Sequence, residues 1–248
     1  MLTFGQADYN YNMPDLSIII PAYNEEALLG ETLSALHRAL DEAGVTDFEV
    51  IVSDDASTDR TAEIAREHGA QVVPTNNRQI AATRNAGAAA ATSERLLFLD
   101  ADTNLPTAAL KEGLQELDNG AIGCGAIDIR FDRKPNIFIR MMSRSILIPM
   151  RFMGYAAGCC IFVKRDVFNE VGGFPEEFYA SEELWFCRAI KQHGRFSVLR
   201  EHVVTSARKM DYHSTLTIFW MMVKVAWGGT EGLKSRKNLD LWYDGQRG

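Results

Sequence analysis

Apolar residues recur along the chain in two alternating patterns, and each pattern predicts a different secondary structure. Short apolar runs that are typical of buried strands occur at 16–20, 48–52, 71–73 and 95–99. Leucines at three- and four-residue spacing predict a helix over 25–43, ended by Gly44, and an alanine-rich helix is predicted over 80–91. Strands that alternate with helices imply right-handed βαβ units, and we therefore expect a parallel sheet.

The second half of the chain is less regular. We predict strands at 121–131, 158–163 and 196–199, a helix at 182–193 and an amphipathic, basic segment at 136–152. Because no linker separates the two halves, the pattern favours one α/β domain, with a mostly parallel sheet flanked by helices.

Composition narrows the function. The 248 residues carry a net charge of −7, which argues against a nucleic-acid-binding protein. The four cysteines show no Cys-x-x-Cys spacing and are interpreted as reduced packing residues of a cytoplasmic protein. The polar residues 1–15 do not resemble a signal peptide, and the apolar run at 216–227 is shorter than the roughly 20 residues that a bilayer requires.

Polar clusters follow three of the predicted strands, at 21–26, 54–59 and 100–102. In a parallel sheet these clusters share the edge where ligands bind. Asp100 and Asp102 are two carboxylates on alternate residues, a pattern suited to a hard divalent cation such as Mn²⁺ or Mg²⁺. The simpler alternatives are an aspartate that only shapes a turn and aspartates that cap helices.

Several motifs in a fixed order carry a family resemblance. They are Ile18-Ile-Ile-Pro-Ala-Tyr-Asn-Glu-Glu26, Val52-Ser-Asp-Asp-Ala-Ser-Thr-Asp59, Arg84-Asn-Ala-Gly87, Phe98-Leu-Asp-Ala-Asp102, Val171-Gly-Gly-Phe174 and the pair Glu182-Glu183. Over about 16–208 the chain resembles the family 2 inverting glycosyltransferases. That resemblance implies a single GT-A-type, Rossmann-like domain. It would bind a nucleotide sugar with about 16–120 and an acceptor with about 121–210, followed by a helical extension at 211–248.

The resemblance implies roles for the first two motifs. The nucleoside pocket is expected to be formed by Pro21, Ala22, Tyr23 and Glu25. Asp54 matches the aspartate that accepts a hydrogen bond from a base N–H, which a pyrimidine or guanine offers and adenine does not. The family's habit makes a UDP-sugar the expected donor, with a GDP-sugar as the second choice.

The resemblance also implies roles around the pyrophosphate. Arg84 matches a pyrophosphate contact, although a surface arginine on an alanine-rich helix is the alternative. Asp102 matches the direct ligand of the divalent cation, and Asp100 matches a contact to the ribose or to metal-bound water. Relatives supply a histidine as a further ligand, for which His202 is the better candidate here and His213 the other.

Glu182 and Glu183 are the expected catalytic residues. Inverting transfer needs a carboxylate that takes the proton of the acceptor hydroxyl, and Glu183 aligns with that general base. The family usually carries Glu-Asp where this chain has Glu-Glu, so the base has one extra methylene. The alternative is that both glutamates only complement the helix dipole. No Gln-x-x-Arg-Trp motif follows, which favours transfer of one sugar per encounter.

Other functions and partners stay open in the sequence. A non-catalytic sugar-nucleotide-binding module of the same fold is the main alternative, and a nucleotidylyltransferase is a weaker one. An NAD-dependent enzyme is disfavoured because no Gly-x-Gly-x-x-Gly follows the first strand. The segment at 136–152 is suited to a membrane surface, to a lipid-linked acceptor, to a core helix or to a homodimer face. Contact with the inner face of the membrane is thus compatible with a cytoplasmic location.

Overall fold

The computed structural model describes residues 14–133, 137–208 and 234. Its strands are β1 (Leu16–Ala22), β2 (Phe48–Asp55), β3 (Gln71–Thr75), β4 (Arg95–Leu99), β5 (Thr103–Asn104), β6 (Gly123–Gly125), β7 (Asp128–Phe131), β8 (Cys160–Lys164), β9 (Phe196–Val198) and β10 (His202–Thr205). Its helices are α1 (Leu29–Ala43), α2 (Thr61–Glu67), α3 (Ile80–Ala90), α4 (Thr107–Asp118), α5 (Ile137–Phe152), α6 (Arg165–Glu170) and α7 (Glu182–His193).

Seven strands form the central sheet in the order β3-β2-β1-β4-β8-β6-β9. The first four of these run parallel, with Ile18 opposite Val50 on one side and Leu97 on the other. Their carboxyl ends therefore lie at one edge of the sheet, as the sequence predicted. The strand β8 is antiparallel to both β4 and β6, so the sheet is mixed in its second half.

The single strand predicted at 121–131 is wrong, because this stretch forms two strands in different sheets. The strand β6 pairs with β8 and β9, whereas β7 pairs with β10 in a three-stranded sheet of order β5-β10-β7. Between them the chain turns at Ala126, whose N–H donates to the carbonyl of Cys160 while its own carbonyl accepts from Ala157. The strand β6 is only three residues long and β7 only four, so periodicity alone cannot separate them.

The first helix begins later than its leucine spacing predicts. It starts at Leu29 rather than Glu25, because the preceding backbone N–H groups bind other side chains. The N–H of Glu25 donates to Thr61 Oγ1, and that of Glu26 donates to Asp59 Oδ2. The helix ends at Gly44 as predicted, with a φ of 76° that favours glycine.

Two apolar clusters pack the sheet. One contains the leucines of α1 together with residues of β1 and α4, and the other contains four phenylalanines that contact each other: Phe98, Phe168, Phe174 and Phe186. The four cysteines are buried and form no disulfide. Within the described part of the chain, no helix is both long and apolar enough to cross a membrane.

Candidate active site at the carboxyl ends of the strands

A cleft of about 340 Å³ opens at the edge where the parallel strands end. Its wall includes most of the site residues that the sequence predicted, which are Pro21, Ala22, Tyr23, Glu25, Arg84, Asp100, Asp102, Glu182 and Glu183. They come from the ends of β1 and β4, from α3 and from the start of α7, so segments distant in sequence meet here. A cleft of this size is in the range of small-molecule binding sites.

Arg84 lies at the floor of the cleft and is almost completely buried, with 1% of its surface exposed. Its Nη1 donates to Glu182 Oε1 at 2.6 Å, and its Nη2 donates to Asp100 Oδ1 at 2.8 Å and to the carbonyl of Gly158 at 3.0 Å. The guanidinium also lies over the ring of Phe174, 5.1 Å from its centroid. In this arrangement Arg84 binds carboxylates of the protein itself. The contact between Arg84 and a pyrophosphate, which the family resemblance implies, stays a prediction.

The two glutamates head α7 but differ in environment. Glu182 is buried and paired with Arg84, whereas Glu183 lies beside it against Gly158 on the cleft wall. Burial, reinforced by the negative charge of Glu182, raises the pKa of Glu183 to about 8. Ser181 precedes them with a φ of 61°, a conformation uncommon for a residue other than glycine. Such strain next to polar groups in a cleft is typical of functional sites.

The loop after β4 is held by backbone contacts on both sides. The N–H of Asp100 donates to the carbonyl of Cys159, and the carbonyl of Asp102 accepts from the N–H of Ser206. Thr205 contacts the Asp102 side chain, with Thr205 Oγ1 3.4 Å from Asp102 Oδ1. The strand β10, which sequence reasoning did not predict, therefore fixes the position of Asp102.

The donor set around this loop fits a divalent cation that is shared with a substrate. No group of three or more His, Cys, Asp or Glu side chains arranged for a metal occurs in residues 14–133, 137–208 and 234. Mg²⁺ and similar ions are commonly bound by one or two carboxylates, with phosphate and water oxygens completing the shell. Asp100 and Asp102 supply that smaller set.

The charge balance of the cleft wall also bears on its ligand. Six acidic side chains line it, from Glu25, Asp55, Asp100, Asp102, Glu182 and Glu183, against two guanidinium groups, from Arg78 and Arg84, and Glu25 is also paired with Arg208. One of those guanidinium groups is already paired with two of the carboxylates. An anionic ligand would be repelled by such a wall unless a cation neutralised part of the charge.

Arg78 is a cleft residue that the sequence did not single out. It adopts a φ of 51°, and its guanidinium lies 4.4 Å from the centroid of the Tyr23 ring. Asp55 holds this turn, because its Oδ1 accepts from the N–H groups of Asn77 and Arg78 at 2.7 and 3.0 Å. The only available signal was the proximity of Arg78 to the motif that begins at Arg84.

Two predicted site residues do not line the cleft. At the end of β2 the wall is formed by Asp55, while the Asp54 carboxylate accepts from the N–H of Ser57. Successive side chains of a strand point to opposite faces, so only one of the two aspartates faces the cleft. His202 opens β10 opposite Asp128, three residues before the cleft residue Thr205, which is about 10 Å along a strand. The other histidine candidate, His213, lies outside the described residues.

Arg208 pairs with a residue of the cleft wall, Glu25. Its Nη2 donates to the buried carboxylate of Glu25, and its Nη1 is buried without a hydrogen-bond partner among the described residues. The ion pair with Glu25 shows that Arg208 is a structural part of the cleft.

A cleft rich in carboxylates at the carboxyl ends of a mostly parallel sheet agrees with the GT-A-type fold that the family resemblance implies. Residues 17–172 match the model of the glycosyl transferase family 2. Since that match covers more than half of the chain, the chain belongs to glycosyl transferase family 2.

Individual relatives agree with this assignment. Validoxylamine A glucosyltransferase of Streptomyces hygroscopicus subsp. jinggangensis is 39% identical over 95 residues, which cover 36% of this chain and 22% of that protein. The poly(ribitol-phosphate) beta-N-acetylglucosaminyltransferase TarS of Staphylococcus aureus is 27% identical over 219 residues, which cover 80% of this chain and 36% of TarS. The chain thus matches about a fifth of the first relative and about a third of the second.

Solved structures show the same fold. TarS 1-349 of S. aureus in complex with UDP matches with a TM-score of 0.61 and 25% identity, covering 78% of this chain and 60% of that one. The mannosyltransferase PcManGT of Pyrobaculum calidifontis, in complex with GDP-Man and Mn²⁺, matches with a TM-score of 0.66 and 20% identity. The latter match covers 94% of this chain and 68% of the mannosyltransferase chain.

Proposed function

We propose that this protein transfers one sugar, with inversion, from a nucleotide-diphosphate sugar to an acceptor hydroxyl, and that it requires Mn²⁺ or Mg²⁺. The observation that carries the proposal is that Asp100, Asp102, Glu182 and Glu183 line one cleft, where the buried Arg84 binds both Asp100 and Glu182. Family 2 membership and the similar structures in complex with UDP or with GDP-Man support a nucleotide-sugar donor.

The nucleoside would bind between the end of β1 and the turn at Arg78. The exposed part of Tyr23 and the guanidinium over its ring offer flat surfaces for a base and a positive charge for the adjoining phosphates. Asp55, on the wall at this point, is the aspartate best positioned to accept from a base N–H, so it replaces Asp54 in the proposal. Uracil and guanine both offer such an N–H, and the family's habit makes a UDP-sugar the first choice and a GDP-sugar the second.

The divalent cation would be held by Asp102, together with Asp100. When bound, it supplies positive charge that neutralises the pyrophosphate and the leaving diphosphate. The protein's own part is to keep both aspartates in a fixed loop. The backbone contacts with Cys159 and Ser206 hold the loop ends, and the Arg84 pair orients the Asp100 carboxylate.

Glu183 would be the general base, and Glu182 would position it. A base must be able to hold a proton near the working pH, and the raised pKa of Glu183 meets that condition. Glu182 is occupied by Arg84 and is buried, so it is less able to reach an acceptor. Its negative charge also helps raise the pKa of its neighbour.

The acceptor would enter from the side formed by residues 121–210. Ile129, Ala157 and Tyr179 line that side of the cleft, which is more apolar than the aspartate loop. A single transfer per encounter is favoured by the missing Gln-x-x-Arg-Trp motif, and an acceptor that carries a lipid is compatible with the apolar wall. A cytoplasmic location of the transferase completes the proposal.

The test is a thermal-shift panel with UDP, GDP, UDP-glucose, UDP-GlcNAc and GDP-mannose, each with and without Mn²⁺. Ligands that bind the native state raise the melting temperature by mass action, so the donor should stabilise the protein and Mn²⁺ should increase the effect. Hydrolysis of the stabilising donor is then followed in the wild type and in Glu183→Gln. Stabilisation of both proteins with turnover in the wild type alone is the expected result.

Two outcomes would contradict the proposal. Stabilisation by a donor with no turnover in the wild type, even with a range of acceptor alcohols, would favour the non-catalytic binding module. Equal stabilisation with and without Mn²⁺ would remove the metal from the proposal. Glu177→Gln is the matched control, because Glu177 is an exposed glutamate of the loop before α7 and is expected to leave turnover unchanged.

A further inference from the structure

The large apolar side chains that are exposed in the described part of the chain all lie in one short segment. They are Ile137 at 61% exposure, Met141 at 65%, Ile148 at 51%, Phe152 at 88% and Met153 at 54%. The first four belong to α5, and Met153 follows it directly. Elsewhere among the described residues, large apolar side chains are buried or half-buried, so this concentration is a property of α5 rather than of the surface in general.

The four that belong to α5 form one stripe along the helix. At 3.6 residues per turn, Ile137, Met141, Ile148 and Phe152 fall within a sector of about 60° around the α5 axis. Leu147 and Met150 lie on the other side of the axis, and both pack against the larger apolar cluster of the core. The helix therefore carries apolar side chains on its outer side as well as on the inner side that packs against the core, whereas the outer side of a surface helix is usually polar.

Positive charge accompanies the outer stripe. Arg144 and Arg151 are exposed and lie next to the stripe, within about 40° of its edge. One nitrogen of Arg151, Nη1, donates to the carbonyl of Leu199 at 3.1 Å, and its remaining N–H groups are the ones offered to a ligand of this face. Lys191 of α7 stands at its end, where its Nζ donates to the carbonyl of Met153 at 2.6 Å. The helix contains three arginines and neither Asp nor Glu, in a chain whose net charge is −7. We call Ile137, Met141, Ile148, Phe152 and Met153, with Arg144 and Arg151, the α5 face.

We propose that the α5 face binds the surface of an anionic lipid bilayer, with the helix axis parallel to the membrane plane. Apolar side chains on one face enter the boundary between head groups and acyl chains, and the flanking arginines bind lipid phosphates. A protein with a net negative charge is repelled by an anionic surface over most of its own surface. The α5 face carries cations and α5 has no acidic residue, so the protein would approach the membrane with this face first.

The charges favour lipid over the other occupants. In a symmetric dimer the α5 face would meet its own copy, and arginines would face arginines with no acid on the helix to pair with them. The chain's own apolar run at 216–227 carries Lys224 as its charged residue and offers no anion either. An anionic bilayer satisfies both the apolar and the basic part of the face.

The α5 face lies next to the cleft in the chain. The segment before α5 contributes Ile129 to the cleft wall, and the segment after it contributes Ala157 and Gly158. A bilayer bound to α5 would therefore lie close to the acceptor side. The membrane proposal does not require the proposed transfer reaction, because it rests on the helix surface alone.

The experiment is flotation of the full chain with vesicles of phosphatidylcholine alone and of phosphatidylcholine with about one third phosphatidylglycerol. We expect binding to the anionic vesicles that weakens as salt increases, and little binding to the neutral ones. Arg144→Gln should weaken anionic binding about fivefold, since one cation near the surface is worth about a factor of five. The double variant Ile148→Ser, Phe152→Ser should weaken it at least about tenfold.

The matched control is Arg38→Gln, which removes an exposed arginine from α1 and should bind vesicles like the wild type. Three outcomes would overturn the proposal. The wild type fails to float with anionic vesicles at low salt. Light scattering finds a dimer that the double variant converts to a monomer. Or the double variant loses as much melting temperature as a core substitution, which would mean that the chain itself covers the face.

Discussion

Nη1 of Arg84 lies 2.6 Å from Oε1 of Glu182, and this pair joins the two halves of the chain across the floor of the cleft. Arg84 belongs to α3 and Glu182 to α7, 98 positions apart. The same guanidinium binds Asp100 at the end of β4. Because all three side chains are held together, the loop proposed to bind the cation and the helix that carries the proposed base cannot move independently.

Arg84→Met should lower the free energy of unfolding by about 3–5 kcal/mol, because it leaves the buried Glu182 carboxylate and Asp100 without their partner. Arg84→Lys should lose less, since one ammonium replaces part of the charge but cannot bind both carboxylates in the same geometry. Urea unfolding measures both changes.

Arg38→Met is the control for this pair of variants, because Arg38 is an exposed arginine on α1 and should change stability by less than about 0.5 kcal/mol. A loss for Arg84→Met as small as the control would mean that the ion pairs contribute nothing to the fold. In that case Arg84 would be available to a phosphate, as the sequence resemblance implies.

The activity of the protein should depend on pH through Glu183. A general base accepts a proton only when it is ionised, so kcat/KM should rise as the pH increases through about 8, the value to which burial raises its pKa. An ordinary exposed glutamate would give a rise near 4.5 instead. Glu183→Gln should reduce kcat by about 10²–10⁴-fold, and Glu183→Asp should keep measurable turnover. A flat profile between the two pH values would exclude Glu183 as the base.

The same residue should make the fold less stable at alkaline pH. Its pKa is raised in the native state, so its stabilising contribution is complete below the ordinary 4.5 and is lost as the pH rises through about 8. Glu183→Gln keeps the neutral form at every pH. The variant should therefore melt at a higher temperature than the wild type at about pH 9, and at the same temperature at about pH 4. A variant that is less stable at both pH values would mean that the carboxylate makes a stabilising contact.

The first half of the fold could be predicted because its strands are fully buried and its helices are amphipathic. The strand at 95–99 and the helix at 182–193 were predicted with the bounds that the structure gives. The family resemblance then identified the segments whose ends meet at the cleft. The residues that it placed on the cleft wall include the carboxylates that directly follow the buried strand β4 and those that begin the helix α7.

The remaining differences come from tertiary pairing. The strand β10 pairs with β5 and β7, neither of which carries a strong pattern of its own, so its role in fixing Asp102 was not foreseen. The choice between Asp54 and Asp55 depends on which face of β2 borders the cleft, and an adjacent pair of identical residues gives no signal for that. The turn at Arg78 depends on hydrogen bonds that its backbone N–H groups donate to the carboxylate of Asp55, 23 positions away.

Two glycine substitutions should have opposite effects. A Cβ added at Gly87 of α3 would lie 2.2 Å from Ser53 Oγ and 2.5 Å from Ile19 Cγ2, so Gly87→Ala should lower the free energy of unfolding by about 1–3 kcal/mol or more. At Gly30 of α1 the nearest atoms are at 3.5 Å, an ordinary contact. Gly30→Ala should therefore stabilise the helix by about 0.5–1 kcal/mol. Equal effects in urea unfolding would mean that α3 does not pack closely on β1 and β2.

The two aspartates of the loop after β4 should separate metal binding from stability. Asp102→Asn should abolish the extra thermal stabilisation that Mn²⁺ gives in the presence of the donor nucleotide, and reduce kcat/KM about a hundredfold, with little change in the stability of the free protein. Asp100→Asn should also lower the stability of the free protein, because Asp100 accepts a charge-assisted hydrogen bond from the buried Arg84.

Asp118→Asn, at an exposed aspartate that ends α4, is the control for charge alone and should change neither property. If Asp102→Asn kept the full Mn²⁺ effect, the cation would be bound elsewhere in the chain. The loop that β10 holds in place would then carry no cation at Asp102. Without that positive charge, the acidic wall of the cleft would repel a pyrophosphate.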